Sequence, residues 1–424
     1  MRDFLPAQKH HRERVLEIIR GRYRAHGFDE IETPVVEDYG RLHAGVGGDN
    51  EKLGFSVLRR GLDAESIRAA ADRPEALSDL GLRYDLTVPL ARFYATHRAE
   101  LPGVFRAIQI GPVWRAERPQ KGRFRQFVQC DIDIIGDASV RAEAELLVAT
   151  LDAIGALGLA EASIRINDRR ILDWMLDTVG VAPPDRPGAL IALDKLDKVG
   201  ADGVLAELRE RGIPVAAVAA LEDLLRRAPG TASGSWRDAV AAALPSGAPA
   251  DLVDHLDAVA SAVRAGSDRA ALVFDPFLVR GMGYYTGTIF ELAHPAVGYS
   301  LGGGGRYDGM IGRFLGTEVP AVGFSIGFER IVDLVGAPEH HRDRAVVLVH
   351  DHDVPLEEVV AAKTELLATC ARIRVERRPR NLKGLLAQAA ADGYTHVVNL
   401  PAGSGPGSIA PRPLSPSGGG AGGD

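Results

Sequence analysis

Apolar residues near the start of the chain recur at helical spacing: Val15, Ile18, Ile19 and Tyr23 form one stripe within residues 8–23, as one face of a 3.6-residue repeat requires. "GFDEIETPVVED" follows and reads as a short extended segment interrupted by Pro34, since proline removes a ladder donor. Between 107 and 135 the pattern switches to alternation in two arms around the polar string "RPQKG", which predicts an antiparallel hairpin with its turn at 118–122. In the second arm the count puts Arg123, Arg125, Phe127, Gln129, Asp131 and Asp133 on one face and Val128, Cys130, Ile132 and Ile134 on the other. In the first arm Gln109, Arg115 and Glu117 oppose Ile108, Ile110 and Trp114. Side by side, the two polar rows make a floor with cations near the tip and acids further down.

After Asn167 the texture becomes alanine- and leucine-rich with Pro/Gly breaks, including "ALDKLDKVG" and "VLAELRERG", which predicts a helical insertion. A strand-rich stretch from 271 to 326 carries "RGMGYYTGTIFEL" and "LGGGGRYDGM", and a helix begins near Phe328. From Ala345 strands and helices alternate ("AVVLVH", 356–369, "IRVER", 382–390, "HVVNL"), the signature of a small parallel α/β domain. The remaining Gly/Pro/Ser-rich string reads as a disordered tail, because it offers too little apolar surface to offset the cost of ordering. The expected organisation is a first part at 1–166, an insertion at 167–270, a second part at 271–336, a partial α/β domain at 344–400 and a tail at 401–424.

A chain of 424 residues, 46% of them hydrophobic, buries more than one core. No window approaches the apolar length that spans a bilayer, and "MRDFLPAQKHHRER" carries charge where a signal peptide needs an apolar stretch. The expected location is cytoplasmic. Cys130 and Cys370 are far apart and fall in different expected domains, which argues against a disulfide framework and against a cysteine metal site. With a net charge of −7, any affinity for phosphate rests on local clusters rather than on the whole molecule.

Such a cluster exists. "RAERPQKGRFRQF" gathers Arg115, Arg118, Lys121, Arg123 and Arg125. A nucleoside triphosphate carries roughly four negative charges, and one charge pair at ~4 Å is worth about 4 kcal/mol at an effective dielectric near 20. Arginine suits the task because its planar fork holds phosphate oxygens at two points. A solvated hairpin tip is the alternative, but here the charges share a face with an aromatic ring and with acids. Asp131 and Asp133, with Asp85 in "LRYDLTVPLARF", suit a cationic or strongly hydrogen-bonding ligand such as an amino acid. Arg280 and Arg330 have a structural alternative as well, in ordinary bridges to Asp275 and Glu329.

These strings together resemble the class II aminoacyl-tRNA synthetases, and within them the histidyl-tRNA synthetase family. "RDFLP", "LRYDLTVPLARF", "GPVWRAERPQKGRFRQFVQCDIDIIG", "LDKLDK", "LVRGMGYYTGTIFEL", "GGRYDGM" and "AVGFSIGFERI" carry the likeness, which covers nearly all of residues 1 to about 400. The resemblance implies an α+β fold: the class II antiparallel sheet flanked by helices, a helical insertion, and a small, incomplete C-terminal α/β domain.

It also implies ATP-dependent activation of histidine and transfer to histidine tRNA, with Mg²⁺ accompanying ATP, by a homodimer that needs no membrane. Residue by residue, Arg115 would grip the α-phosphate and Arg330 the γ-phosphate, Arg123 would hold the bent triphosphate, and Glu117 and Phe127 would take the adenine. Asp85, Thr87 and Gln129 match positions for the α-amino group. Asp133, Tyr285 and Tyr307, with Tyr284 adjacent, lie where the family reads the imidazole. Arg280 matches the arginine that stabilises charge at the α-phosphate, which makes Arg115, Arg280 and Arg330 the catalytic set. Gln120 and Arg125 fall where the family meets the tRNA acceptor end, and no metal-ligating residue is assigned.

Two departures accompany the likeness. Gly283 stands where the family usually has an acid, and the anticodon-binding-like domain is matched only through Leu400. Two further functions stay open at this point: a histidine-sensing regulatory paralogue of ATP phosphoribosyltransferase, and a histidine-adenylating enzyme with an acceptor other than tRNA.

Overall fold

The computed structural model describes residues 1–43, 52–118, 122–226, 235–267, 272–281, 285–336, 344–402 and 410–414. Internal contacts divide the chain into two units, Met1–Asp3 with Arg12–Val335, and Phe4–His11 with Gly336–Asp424.

The helical stripe forms α1 (Pro6–Ala25), burying Val15, Leu16, Ile19 and Tyr23. Short strands β1 (Asp29–Glu30) and β2 (Val36–Asp38) flank Pro34, and α2 (Tyr39–Leu42) follows. β3 (Phe55–Leu58), α3 (Ala64–Ala69) and β4 (Ser78–Leu82) complete a small antiparallel sheet in the order β2-β4-β3. α4 (Thr87–His97) starts two residues after Asp85, whose Oδ1 accepts from the Val88 amide at 3.2 Å.

The predicted hairpin is β5 (Phe105–Trp114) and β6 (Gln126–Ile135), paired from Phe105↔Ile135 to Trp114↔Gln126. The turn is therefore wider than 118–122. Pairing ends at Trp114↔Gln126, and beyond it the Arg115 amide still donates to the Arg125 carbonyl at 2.9 Å. α5 (Val140–Ala156) and β7 (Ser163–Asp168) precede the helical stretch of α6 (Arg169–Thr178), α7 (Arg186–Leu193), α8 (Leu196–Glu210), α9 (Val215–Leu225), α10 (Trp236–Ala243) and α11 (Ala250–Gly266). The chain then returns through β8 (Leu272–Phe274), β9 (Thr288–Ala293), β10 (Gly302–Arg306), α12 (Asp308–Leu315), β11 (Ala321–Gly327) and α13 (Phe328–Leu334). Helix α12 lies inside the stretch that alternation alone marks as strand-rich.

Eight strands align in the order β1-β5-β6-β11-β10-β9-β7-β8. All neighbours are antiparallel except the end pairs β1/β5 and β7/β8. This is the expected α+β class: a largely antiparallel sheet flanked by helices. Alternation decides which side is core. Cys130, Ile132 and Ile134 of β6, Phe290 and Leu292 of β9, and Val322, Phe324 and Ile326 of β11 pack into one cluster with α1, α5 and α11. Their neighbours Gln129, Asp131, Asp133, Glu291, Gly323 and Ser325 face the other way, into a cavity.

The helical stretch packs in two ways. Leu172 to Leu224 form a cluster of their own with Phe277, Leu278, Val279 and Ile289. Trp236 and Val240 of α10 and Leu252 to Val263 of α11 belong to the cluster beneath the central sheet.

In the second unit β12 (Ala345–His350), α14 (Leu356–Leu367), β13 (Arg372–Arg377), α15 (Leu382–Ala391) and β14 (His396–Leu400) form the predicted parallel arrangement. β12 is covered on both faces, which is why "AVVLVH" reads as a continuous apolar run rather than an alternating one. One expectation needs correction. Residues 410–414, placed in the expected tail, carry strand β15 (Arg412–Pro413) antiparallel to β14, and the Leu414 amide donates to the Thr395 carbonyl at 2.8 Å. Leu414 packs against the cluster under α15, an apolar anchor hidden by the Gly/Pro/Ser composition around it, so the sheet edge beyond "HVVNL" is partly covered.

Candidate active site

A cavity of about 520 Å³ opens on the polar face of the central sheet. It divides by charge. Arg115, Arg123, Arg280 and Arg330 line one part, while Asp85, Asp131 and Asp133 line another.

Each guanidinium is anchored by neighbouring groups. Arg115 donates from Nε to the Tyr84 carbonyl at 2.9 Å and lies over the Phe127 ring at 5.1 Å. Arg123, exposed on the wide turn, pairs with Glu117 at 3.6 Å. Arg280 bonds the Ser300 hydroxyl at 3.0 Å and pairs with Glu291. Arg330 donates to the carbonyl of the same Ser300 and sits 5.4 Å from the Tyr299 ring. One residue thus spaces two guanidiniums, Arg280 through its hydroxyl and Arg330 through its backbone.

No carboxylate among the described residues forms an ion pair with Arg330. Burial, followed by the like charges of Arg123 and Arg280, lowers its pKa. An anion placed between these three relieves the repulsion.

The ordinary bridges that sequence proximity suggests do not form. Asp275 is engaged by Arg165. Glu329 takes Arg12 through both carboxylate oxygens, at 2.5 and 2.7 Å, and also accepts from Arg2 at 3.4 Å and the Val128 amide at 3.3 Å. That fork ties α1 and β6 to the start of α13, the helix carrying Arg330. Arg12 and Glu329 are both nearly fully buried, so truncating Glu329 takes the two-oxygen carboxylate partner away from a buried guanidinium. Glu329→Ala is expected to destabilise the protein by about 3–5 kcal/mol, read as a lowered midpoint in urea unfolding; an unchanged midpoint contradicts this.

At the acidic end, Tyr307 donates its hydroxyl to Asp133 at 2.6 Å, and Gln129 donates to Ser325 at 3.0 Å and to Asp131 at 3.3 Å. Burial is the main cause that raises both carboxyls, Asp133 to about 7 and Asp131 well above the ordinary carboxylate range. Gln129 Oε1 is buried with no hydrogen-bond partner among the described residues. Close packing shapes the floor: a Cβ on Gly323 would fall 1.9 Å from Asp133 Oδ1, so only glycine leaves that carboxylate its place.

Of the candidates read from sequence, Arg115, Glu117, Arg123, Phe127, Arg280, Arg330, Asp85, Thr87, Gln129, Asp133, Tyr285 and Tyr307 all line this one cavity. Arg125 does not line it; it is exposed and donates to the Glu117 carbonyl at 3.2 Å. Tyr284 and Gln120, with Gly283, fall outside the described residues.

Asp131, which the sequence groups with Asp85 and Asp133 for a cationic or hydrogen-bonding ligand, lines the cavity as well. It shares the alternating face and was visible to the same count. Asp194, Asp197 and Lys198 reach the cavity from the end of α7 and the start of α8, inside "LDKLDK", which nothing in a linear reading connects to the sheet.

A sequence model of the family described as Histidyl-tRNA synthetase matches residues 1–331. A protein from Leifsonia xyli subsp. xyli named Histidine–tRNA ligase is 58% identical over 399 residues, covering 93% of this chain and 92% of its own length. The crystal structure of histidyl-tRNA synthetase from Nostoc sp. PCC 7120 superposes with a TM-score of 0.75 at 26% identity, over 95% of this chain and 90% of that one. A Bacillus halodurans structure titled as an ATP phosphoribosyltransferase regulatory subunit/histidyl-tRNA synthetase shares the fold, with a TM-score of 0.76 at 19% identity over 95% of this chain and 97% of that one.

Proposed function

The chain belongs to the histidyl-tRNA synthetase family, and on that premise we propose a histidine–tRNA ligase that works at the cavity of the central sheet. In the first step a histidine carboxylate oxygen attacks the α-phosphorus of ATP, the bond to the bridging oxygen breaks, and pyrophosphate leaves. In the second, a ribose hydroxyl at the tRNA 3′ end attacks the carbonyl carbon of histidyl-adenylate and AMP leaves.

The observation that carries this reading is the convergence of Arg115, Arg280 and Arg330 with Asp85 and Asp133 around one cavity. Displacement at phosphorus needs positioning and charge stabilisation more than proton transfer. Arg115 holds the α-phosphate, Arg330 the γ-phosphate and Arg123 the bend between them, while Phe127 and Glu117 take the adenine. Arg280 meets the charge that grows on the α-phosphate oxygens. Mg²⁺ bound to ATP would offset part of the triphosphate charge.

Asp85, Thr87 and Gln129 take the α-ammonium group of histidine, and Asp133, Tyr285 and Tyr307 the imidazole; Gln129 Oε1 offers a buried acceptor in want of a donor. A histidine sensor has no use for four guanidiniums at the cavity, which disfavours that alternative. Gln120 and Arg125 are assigned to the tRNA acceptor end, and the second unit to the anticodon.

We further propose a cytoplasmic homodimer. No described helix is long and apolar enough to cross a membrane, and the sheet β2-β4-β3 leaves Leu58 63% and Leu80 40% exposed. Light scattering should report twice the chain mass, and a monomer contradicts the dimer. Acylation of a histidine tRNA transcript with labelled histidine tests the overall reaction. Ester-linked label is expected, and adenylate without transfer would move the acceptor away from tRNA.

A further inference from the structure

Three residues stand in register across the central sheet: Arg165 of β7 opposite Glu291 of β9, and Glu291 opposite Gly303 of β10. Directly opposed residues share a face and touch. Arg280 lies over the last of them, where a Cβ on Gly303 would stand 2.6 Å from its Cζ. Glu291 divides its carboxylate, with Oε2 paired to Arg280 and Oε1 accepting from Arg165 Nη1 at 2.9 Å. Arg165 also donates from Nε to Asp275 at 2.7 Å and, through the same Nη1, to Asp197 at 2.5 Å.

Asp197 lies in the first turn of α8, on the cavity wall, and the helical path breaks just beyond it at Gly200, φ 70° and ψ 176°. The chain of contacts therefore runs from the helical insertion to the arginine proposed to act at the α-phosphate.

Arg165 brings one charge to three carboxylates. While Asp197 draws on Nη1, Glu291 keeps enough negative charge to hold Arg280 against Ser300. Without Asp197, Nη1 turns wholly to Glu291 and loosens that hold. Burial works against the Arg165 charge, yet bonds and charges from Asp197 and Asp275 more than offset it and keep its pKa above the ordinary arginine value.

We propose that Arg165 is a positioning residue for Arg280, and that Asp197 sets it from the insertion, so that docking of the first turn of α8 tunes the rate of adenylation. This rests on the assignment of Arg280 above.

The test is single-turnover formation of histidyl-adenylate by the full chain. The variants are Asp197→Ala, Arg165→Lys, Arg280→Ala and the double variant Asp197→Ala/Arg280→Ala, with ATP and histidine varied and melting followed in parallel. Asp197 is 62% exposed in its side chain, so its loss leaves folding intact. Asp197→Ala is expected to lower the maximal rate about tenfold, with half-saturation for ATP and histidine within about twofold of the unaltered protein. Arg165→Lys, which keeps the charge but not the fork, is expected to slow the reaction without moving half-saturation.

In the Arg280→Ala background the Asp197 change adds nothing. An equal loss in both backgrounds, an unchanged rate, or an effect confined to half-saturation for ATP overturns the relay. Full adenylation by Arg280→Ala alone instead overturns the assignment of Arg280, and the relay with it.

Discussion

Arg280→Ala is expected to slow histidine-dependent ATP–pyrophosphate exchange by roughly a thousandfold, about 4 kcal/mol of lost transition-state stabilisation, while ATP affinity changes by less than about fivefold. The asymmetry follows from how the arginines are shared out. Arg115, Arg123 and Arg330 remain along the cavity wall, and in the proposed reading they hold the triphosphate in the ground state. Arg280 is fixed by a carboxylate, Glu291, and by the Ser300 hydroxyl, as a group must be to meet charge that develops only during the reaction. Removing it strands no buried acid, because Glu291 keeps Arg165. Exchange near the unaltered rate, or a loss carried wholly by ATP affinity, contradicts this role.

Asp133→Asn should separate binding from stability. The carboxyl is buried and titrates at about 7 instead of 3.8. A group whose folded pKa is raised contributes stability that is full below the unfolded value and is lost as pH rises through the folded one. From this group, the ligand-free protein should therefore lose stability between about pH 4 and pH 7, by a few kcal/mol at most.

The asparagine variant removes that slope, and its melting temperature at pH 8 is expected to exceed that of the unaltered protein. It also removes the anion that accepts from Tyr307 and that, in the proposed reading, takes the histidine imidazole, so half-saturation for histidine should rise at least a hundredfold. Because a bound cationic or donor group favours the ionised carboxylate, histidine binding near pH 6 should release a proton, detectable as a buffer-dependent heat in calorimetry. Unchanged histidine affinity, or a variant less stable than its parent at pH 8, contradicts the assignment.

The hairpin was legible because its chemistry obeys a period of two. Ile132 must face the core, so Asp131 and Asp133 must face away, and the structure keeps that alternation through β6. Arg115, Arg280 and Arg330 came from three separated strings whose meeting no local rule predicts, and the family likeness placed them.

Other features stayed hidden for physical reasons. Arg165 reads as an ordinary strand residue, since its three acidic partners lie 32, 110 and 126 positions away. "ALDKLDKVG" reads as a helical segment of the insertion, and only the packing of α7 and α8 brings Asp194 and Asp197 to the cavity. Helix α12 escaped notice because glycines on both sides of "RYDGMIGRF" dilute its periodicity. Strand β15 escaped because one leucine decides its docking within a stretch whose composition argues for disorder.

The proposed reaction needs guanidiniums from separate segments to share one triphosphate beside an acid-lined site for histidine. ATP–pyrophosphate exchange measured with each of the twenty amino acids tests it most directly. Strong exchange with histidine and background with all others is expected. No exchange with histidine, or comparable exchange with an amino acid lacking an imidazole, would contradict it.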